Sequence, residues 1–277
     1  MPTDLVAALP MYNVTPQLAQ VWRELAQELN QRLDMHSKSG RLEILSTDEG
    51  SLDAIWRRSD LLLSQTCGYP LTHGLAEHVH VLGVPIFDAP GCERHFYSSA
   101  IVVRRADRTS SLEDYRGKIA ACNDDDSHSG MNALPHAIAP LAIGGRFFSG
   151  AFRTGSHLLS LRAVCEHRAD IAAIDCVTLA FARDVPGLTE PLRTLGFTRS
   201  APGLPFIASR SLGRDTLRLI GPALNDVIAS HALLAGRLRL RGLVLLPVSE
   251  YQPILDMEAE AARAGYPNLL WKTLARR

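Results

Sequence analysis

The run Ile119-Ala-Ala-Cys122-Asn-Asp-Asp-Asp-Ser127-His-Ser129-Gly130 opens on four small apolar residues and turns abruptly to small polar and acidic ones. Its start reads as a buried strand, its end as a loop, and a helical stretch follows to Leu141. Strand, loop and helix in that order make one βα unit. The same order recurs on both sides. Downstream, a helix over Leu158 to Arg168 leads to the strand Ile171 to Ile174, which ends on Asp175. Upstream, Leu5 to Leu9 is a strand, and Leu18, Val21, Trp22, Leu25, Leu29 and Leu33 mark a helix over Thr15 to Leu33 by their three- and four-residue steps. Pro16 suits its first turn. Further strands are read at Leu42 to Leu45, Leu61 to Leu63, Val79 to Phe87 (broken by Gly83 and Pro85), Ser99 to Val103, Thr194 to Ser200 and Leu204 to Ser209. Helices are read at Leu52 to Trp56, Leu112 to Lys118, Thr216 to Ser230 and Tyr251 to Ala264. Repeated βα units predict α/β lobes with mixed, mainly parallel sheets and helices on both faces. In such sheets ligands lie beyond the carboxyl ends of the strands. That rule selects the loops after Leu9, Leu63, Cys122 and Ile174.

The loop after Cys122 carries the best anion chemistry. Ser127 and Ser129 offer hydroxyls, Gly130 leaves the backbone accessible, and a helix start adds oriented N–H groups. Ser, Asp and Gly are equally the residues of an ordinary helix cap. Asp124, Asp125 and Asp126 oppose an anion if they face inward, and Pro135 would disturb a helix begun at Ser129. Elsewhere, His157 in Gly155-Ser-His157 is a donor or base candidate. Asp175 is a ligand contact or an N-cap. Thr66 and Tyr69 follow a strand and can donate to a ligand. Cys67 beside Gly68 is a nucleophile candidate or a small buried thiol. Tyr12 and Tyr97 are cleft donors or amphipathic packing.

Composition narrows the classes. The chain has 277 residues, 46% hydrophobic and 21% charged, as in a globular protein with a sizeable core. Basic and acidic residues balance at 29 each, which gives no long-range pull on nucleic acid or anionic membrane. An anion site must then be built from oriented neutral donors. The five cysteines form no CxxC pair, so neither a zinc site nor a disulfide framework is expected. No cofactor motif is found. The opening run from Met1 to Pro10 shows no export signal, and no apolar run reaches the ~20 residues of a membrane span.

Taken together, Asp60-Leu-Leu-Leu-Ser-Gln-Thr66-Cys-Gly-Tyr69-Pro-Leu71, Tyr97-Ser-Ser99, Ser111-Leu-Glu-Asp-Tyr-Arg-Gly-Lys118, Ser127-His-Ser129-Gly130, Gly155-Ser-His157 and Ala169-Asp-Ile-Ala-Ala-Ile-Asp175 come in a characteristic order. The chain resembles the phosphate/phosphite/phosphonate-binding proteins of ABC transporters over roughly residues 40 to 210. The resemblance implies a type II periplasmic-binding-protein fold with a two-strand hinge. It implies lobe one at 1–96 and 204–277, lobe two at 97–203, and a ligand cleft between them. Thr66 and Tyr69 would face the ligand from lobe one, and Tyr97 would sit at the hinge. Ser127, Ser129, Gly130, His157 and Asp175 would come from lobe two. The implied role is capture of a small oxyanion for an ABC permease, without catalysis and in the periplasm. The sequence as it stands shows no signal for that export. The competing expectation is an enzyme on the same scaffold, of thiaminase-like or pyrimidine-forming type, with Cys67 as nucleophile and His157 or Asp175 as base.

Overall fold

The computed structural model describes residues 5–34, 42–45, 51–266 and 269. The expectation for the opening run falls partly outside them. The chain forms two compact units. One runs up to Asp88 and adds Glu93–His95 and Pro202–Glu250. The other takes Ala89–Cys92, Phe96–Ala201 and the tail from Tyr251.

In the first unit a six-stranded sheet has the order Leu240–Val244, Val79–Phe87, Phe206–Ser209, Leu61–Gln65, Leu5–Ala8, Leu42–Ile44. Its last three strands pair in parallel and its first three antiparallel to their neighbours. The alternating βα pattern accounts for the parallel half. The antiparallel half comes from segments that return late in the chain. Helix Pro16–Asp34 starts where expected, because Thr15 Oγ1 accepts the Leu18 N–H at 3.1 Å. The whole predicted stripe from Leu18 to Leu33 is buried, with Trp22 at 1% exposure. The helix packs on Arg214–Ser230.

Strand Val79–Phe87 is not broken at Gly83 and Pro85. It changes partner there. Val79 to Gly83 pair with Phe206–Ser209, while Val84 to Phe87 pair with Leu240–Val244. Pro85 therefore faces one paired neighbour, and its missing N–H costs no ladder bond on the other side.

In the second unit the five-stranded order is Leu192–Phe197, Ser99–Arg104, Ile171–Asp175, Ile119–Cys122, Gly150–Arg153. The last three run parallel, and Ser99–Arg104 is antiparallel to both of its neighbours. Strand Gly150–Arg153 and helix Ala232–Arg237 were not read in the sequence, whereas helix Cys176–Ala182 follows Asp175 as its N-cap reading expects.

The tail differs from expectation, because it packs in the second unit rather than the first. Helix Gln252–Arg263 buries Ile254, Met257 and Ala261 at helical spacing. Ala261, Tyr266 and Leu269 join Met131, Leu134 and Ile138 in one core. Asn132 Nδ2 donates to the Ile254 carbonyl at 2.9 Å, and His136 meets Glu260 at 2.9 Å. An amphipathic helix carries no sequence mark of which apolar face it will cover, and the lobe bounds implied by the resemblance did not place it.

Candidate functional site

Three loops of the second unit leave the carboxyl ends of three adjacent parallel strands. Asp175 ends one strand, the Asn123 to Gly130 loop follows the next, and His157 follows the third. Parallel strands bring such loops to one sheet edge. Ser99 joins them from the antiparallel neighbour, where it pairs with Asp175.

The Ser127 loop is a wide turn rather than a simple helix start. Ser127 caps it by accepting the Gly130 N–H on Oγ at 3.1 Å. Asn132 N–H then reaches back five residues to the Ser127 carbonyl at 3.1 Å, so His128–Asn132 is a turn of π-helix. Helix Ala133–Ile138 begins only after it. The delay puts Pro135 in the first turn, where an N–H has no helical acceptor to lose. The objection raised by Pro135 is thereby met. The aspartates do not face inward either. Asp124, Asp125 and Asp126 are exposed, and Arg153 pairs with Asp125 and, at 4.0 Å, with Asp124.

Ser127, Ser129 and Gly130 are themselves buried. Ser127 Oγ already accepts one hydrogen bond, so its hydroxyl proton is left to donate. Ser99 Oγ donates to the Ser129 carbonyl at 2.7 Å, fixing the loop to the sheet. Ser129 Oγ meets His157 Nε2 at 2.9 Å. Gly130 packs against Asn123, since an added Cβ would lie 1.9 Å from its Oδ1 and that side chain would have to move aside.

His157 is the first residue of helix His157–Cys165, which Ser156 caps by accepting the Leu159 N–H at 3.2 Å. Burial of the ring lowers its pKa to about 4. The imidazole is neutral at pH 7, and it shares one hydrogen bond with Ser129 in whichever tautomer it adopts. Its Nδ1 and Asn123 Oδ1 are buried without a hydrogen-bond partner among the described residues. His128, held at 3.1 Å by Asn132 Nδ2, is likewise lowered, to about 3, by burial and by nearby His136. Both rings are thus neutral at pH 7.

Asp175 is buried and caps helix Cys176–Ala182 through Oδ1, which accepts Val177 N–H at 2.8 Å and Thr178 N–H at 3.0 Å. The capping role weighed for it is realised. Tyr97 is buried with its ring 6.1 Å from that of His128.

In the first unit, Tyr12 and Thr66 follow the adjacent parallel strands Leu5–Ala8 and Leu61–Gln65. Tyr12 has a positive φ of 63° and is buried between Trp22 and Phe87, at centroid distances of 6.5 and 5.1 Å. Its ring packs against both. Thr66 is fully buried and donates to the Cys67 carbonyl at 3.2 Å. Tyr69 is half-buried in the short helix Gly68–Thr72 and stacks on His73 at 3.9 Å. Cys67 is half-buried at the N-cap position of that helix and makes no cap hydrogen bond with its side chain.

Sequence reasoning missed Asn123, Ser99 and Asn132. Each is a lone polar residue, at a strand end or inside a turn, and only spatial contact with Gly130, Ser129 or His128 gives it meaning. No group of metal-ligating side chains occurs among the described residues, and no described helix is long and apolar enough to cross a membrane.

Residues 6–245 match the family described as ABC transporter, phosphonate, periplasmic substrate-binding protein. No curated protein matches. Among solved structures, the chain is similar to a binding-protein component of an ABC phosphonate transporter from Pseudomonas aeruginosa, with TM-score 0.73, 13% identity, and 95% and 88% of the two chains covered. PhnD1 from Prochlorococcus marinus, solved with methylphosphonate, gives TM-score 0.69 at 14% identity over 95% of this chain and all of that one. XAC2383 from Xanthomonas citri, bound to ATP, gives 0.68 at 17% identity over 94% and 98%. At these identities the likeness is one of fold.

Proposed function

The chain belongs to the periplasmic substrate-binding proteins of ABC phosphonate transporters, and from that premise we propose that it captures a small tetrahedral oxyanion of the phosphate, phosphite or phosphonate class. The family is one of transport rather than catalysis, so the reading of Cys67 as a nucleophile has no support.

The observation that carries the proposal is the Ser127 to Gly130 turn, joined through Ser129 to His157 at 2.9 Å. A desolvated oxyanion needs several donors at each oxygen. Here they are hydroxyls, backbone N–H groups and a neutral imidazole, in a chain with no net charge to attract anions otherwise. Tyr97 adds a further hydroxyl. A carboxyl group such as that of Asp175, beside an anion, favours a ligand that brings a proton or an amine. It would accept from a protonated phosphonate oxygen or from an aminoalkyl group. Thr66, Tyr69 and Tyr12 would supply the contacts of the first unit. The two units would close on the ligand by a hinge motion, presenting the closed form to an ABC permease.

Isothermal titration tests the class. Phosphate, phosphite and methylphosphonate, with ATP as a bulkier phosphate ester, are titrated against sulfate as the fully deprotonated control. Heat from at least one of the first three, weaker with sulfate, is expected. No heat from any of them would sink the proposal.

A further inference from the structure

Cys92 and Cys176 are 84 residues apart in sequence, yet their Sγ atoms lie 3.5 Å apart in the second unit. Both thiols are free. We propose that these two cysteines are a redox pair that oxidation closes into a disulfide, tying segment Ala89–Cys92 to the start of helix Cys176–Ala182.

The backbone already holds the two segments together. Ser98 N–H donates to the Gly91 carbonyl at 3.0 Å, and the Ser98 carbonyl accepts the Cys176 N–H at 3.2 Å. Gly91 has a positive φ of 98° and lies against Cys176, since an added Cβ would come within 2.9 Å of the Cys176 Cβ. The sulfurs need to approach by about 1.5 Å to reach the ~2.05 Å of a disulfide. The other cysteines of this unit are placed differently: Cys122 points its thiol at the Phe152 carbonyl at 3.5 Å and Cys165 at the Leu188 carbonyl at 3.6 Å. The family's compartment, the periplasm, is one in which disulfides form and persist.

The order of events follows from exposure. Cys92 is half-buried and Cys176 is 1% exposed. Contact with Cys92, burial and the Asp175 carboxylate all push ionisation of Cys176 upward. Cys92 therefore meets an external oxidant first. Its thiolate attacks the disulfide of a thiol-oxidising protein or small disulfide and expels one of that oxidant's thiols. The Cys176 thiolate then attacks Cys92 Sγ and expels the second. Two cysteine thiols are oxidised, one disulfide is reduced to two thiols, and the two cysteine protons end on those thiols. The bond would sit one residue after Asp175, at the helix start that Asp175 caps, and on the segment where the chain passes to Glu93–His95 of the first unit.

The test uses the purified chain. It is equilibrated with oxidised glutathione, quenched in acid, unfolded, alkylated with iodoacetamide, digested and weighed. The expected result is a single cross-linked peptide pair containing Cys92 and Cys176, lighter by two hydrogens than its reduced parts. Cys67, Cys122 and Cys165 should be alkylated, and all five cysteines should alkylate after reduction. Cys92→Ser and Cys176→Ser should each abolish that cross-link. Alkylation of both Cys92 and Cys176 after full oxidation would overturn the proposal. So would a cross-link in which either pairs with another cysteine, or glutathione captured stably on Cys92 without closure.

Discussion

Ser129 Oγ lies 2.9 Å from His157 Nε2, joining two loops that leave the neighbouring parallel strands Ile119–Cys122 and Gly150–Arg153. Neither residue has that partner within its own element. The sheet supplies it by setting the two carboxyl ends side by side.

The contact gives a direct prediction. Ser129→Ala removes one donor from the oxyanion and strands the imidazole nitrogen. Loss of a buried hydrogen-bond partner costs about 1–3 kcal/mol, so affinity should fall by roughly 10- to 100-fold. Thermal unfolding should shift by only a few degrees. Titration beside a melting curve separates the two effects. Equal affinity for the variant and the parent would remove Ser129 from the site.

Gly130 should tolerate no side chain. In Gly130→Ala the new Cβ would lie 1.9 Å from Asn123 Oδ1, so the Asn123 side chain must leave its place. Overpacking of this kind costs roughly 1–3 kcal/mol. Urea unfolding should show that loss, and Asn123→Ala in the same background should restore part of it. An unchanged midpoint would mean that the loop does not pack as described.

Acid should weaken the fold through His157 and His128. Burial sets their folded pKa values to about 4 and about 3, below the ordinary histidine value of 6.5. Between those limits the unfolded chain binds more protons than the folded one, so stability rises with pH. Their contribution is complete above about pH 6.5 and lost as pH falls toward 4. Denaturant titrations at pH 5 and pH 7 should differ by up to about 4 kcal/mol in favour of pH 7, about 2 from each histidine. His157→Asn should flatten the slope across this window. A slope of opposite sign would contradict a buried neutral ring.

Asp175 joins a structural and a proposed ligand role, and two substitutions separate them. Asp175→Ala should cost about 1 kcal/mol by loss of the cap, whereas Asp175→Asn caps about as well and should leave stability nearly unchanged. The asparagine variant loses an acceptor charge. It should therefore weaken binding of a protonated or amine-bearing phosphonate relative to a fully deprotonated sulfate. If both ligands respond alike to Asp175→Asn, the residue is a cap and nothing more.

The residues that were legible in sequence share a property. The helix stripe from Leu18 to Leu33, the strand Ile171–Asp175 and the Ser127 cap are all set by neighbours within a few positions. Periodicity and capping chemistry report such local causes. The π-turn at His128–Asn132 was hidden because capping rules read Ser127 as an ordinary helix start and Pro135 as a disturbance, and neither reports a wider turn ahead of the helix. The partner change along Val79–Phe87 was likewise read as a break. Non-local facts were lost altogether. The docking of Gln252–Arg263 in the second unit, the approach of Asn123 to Gly130 and the meeting of Cys92 with Cys176 each join segments whose proximity only the folded chain creates. The proposed anion residues were picked out through their joint order along the chain, since singly each has an ordinary capping or packing role.

The most direct test of the central claim is a crystal structure of the protein grown with methylphosphonate. The account predicts tetrahedral density within hydrogen-bonding distance of the Ser127 and Ser129 hydroxyls, with His157 behind Ser129. Density for the ligand away from those hydroxyls, or a planar ring bound beside Cys67 instead, would contradict it.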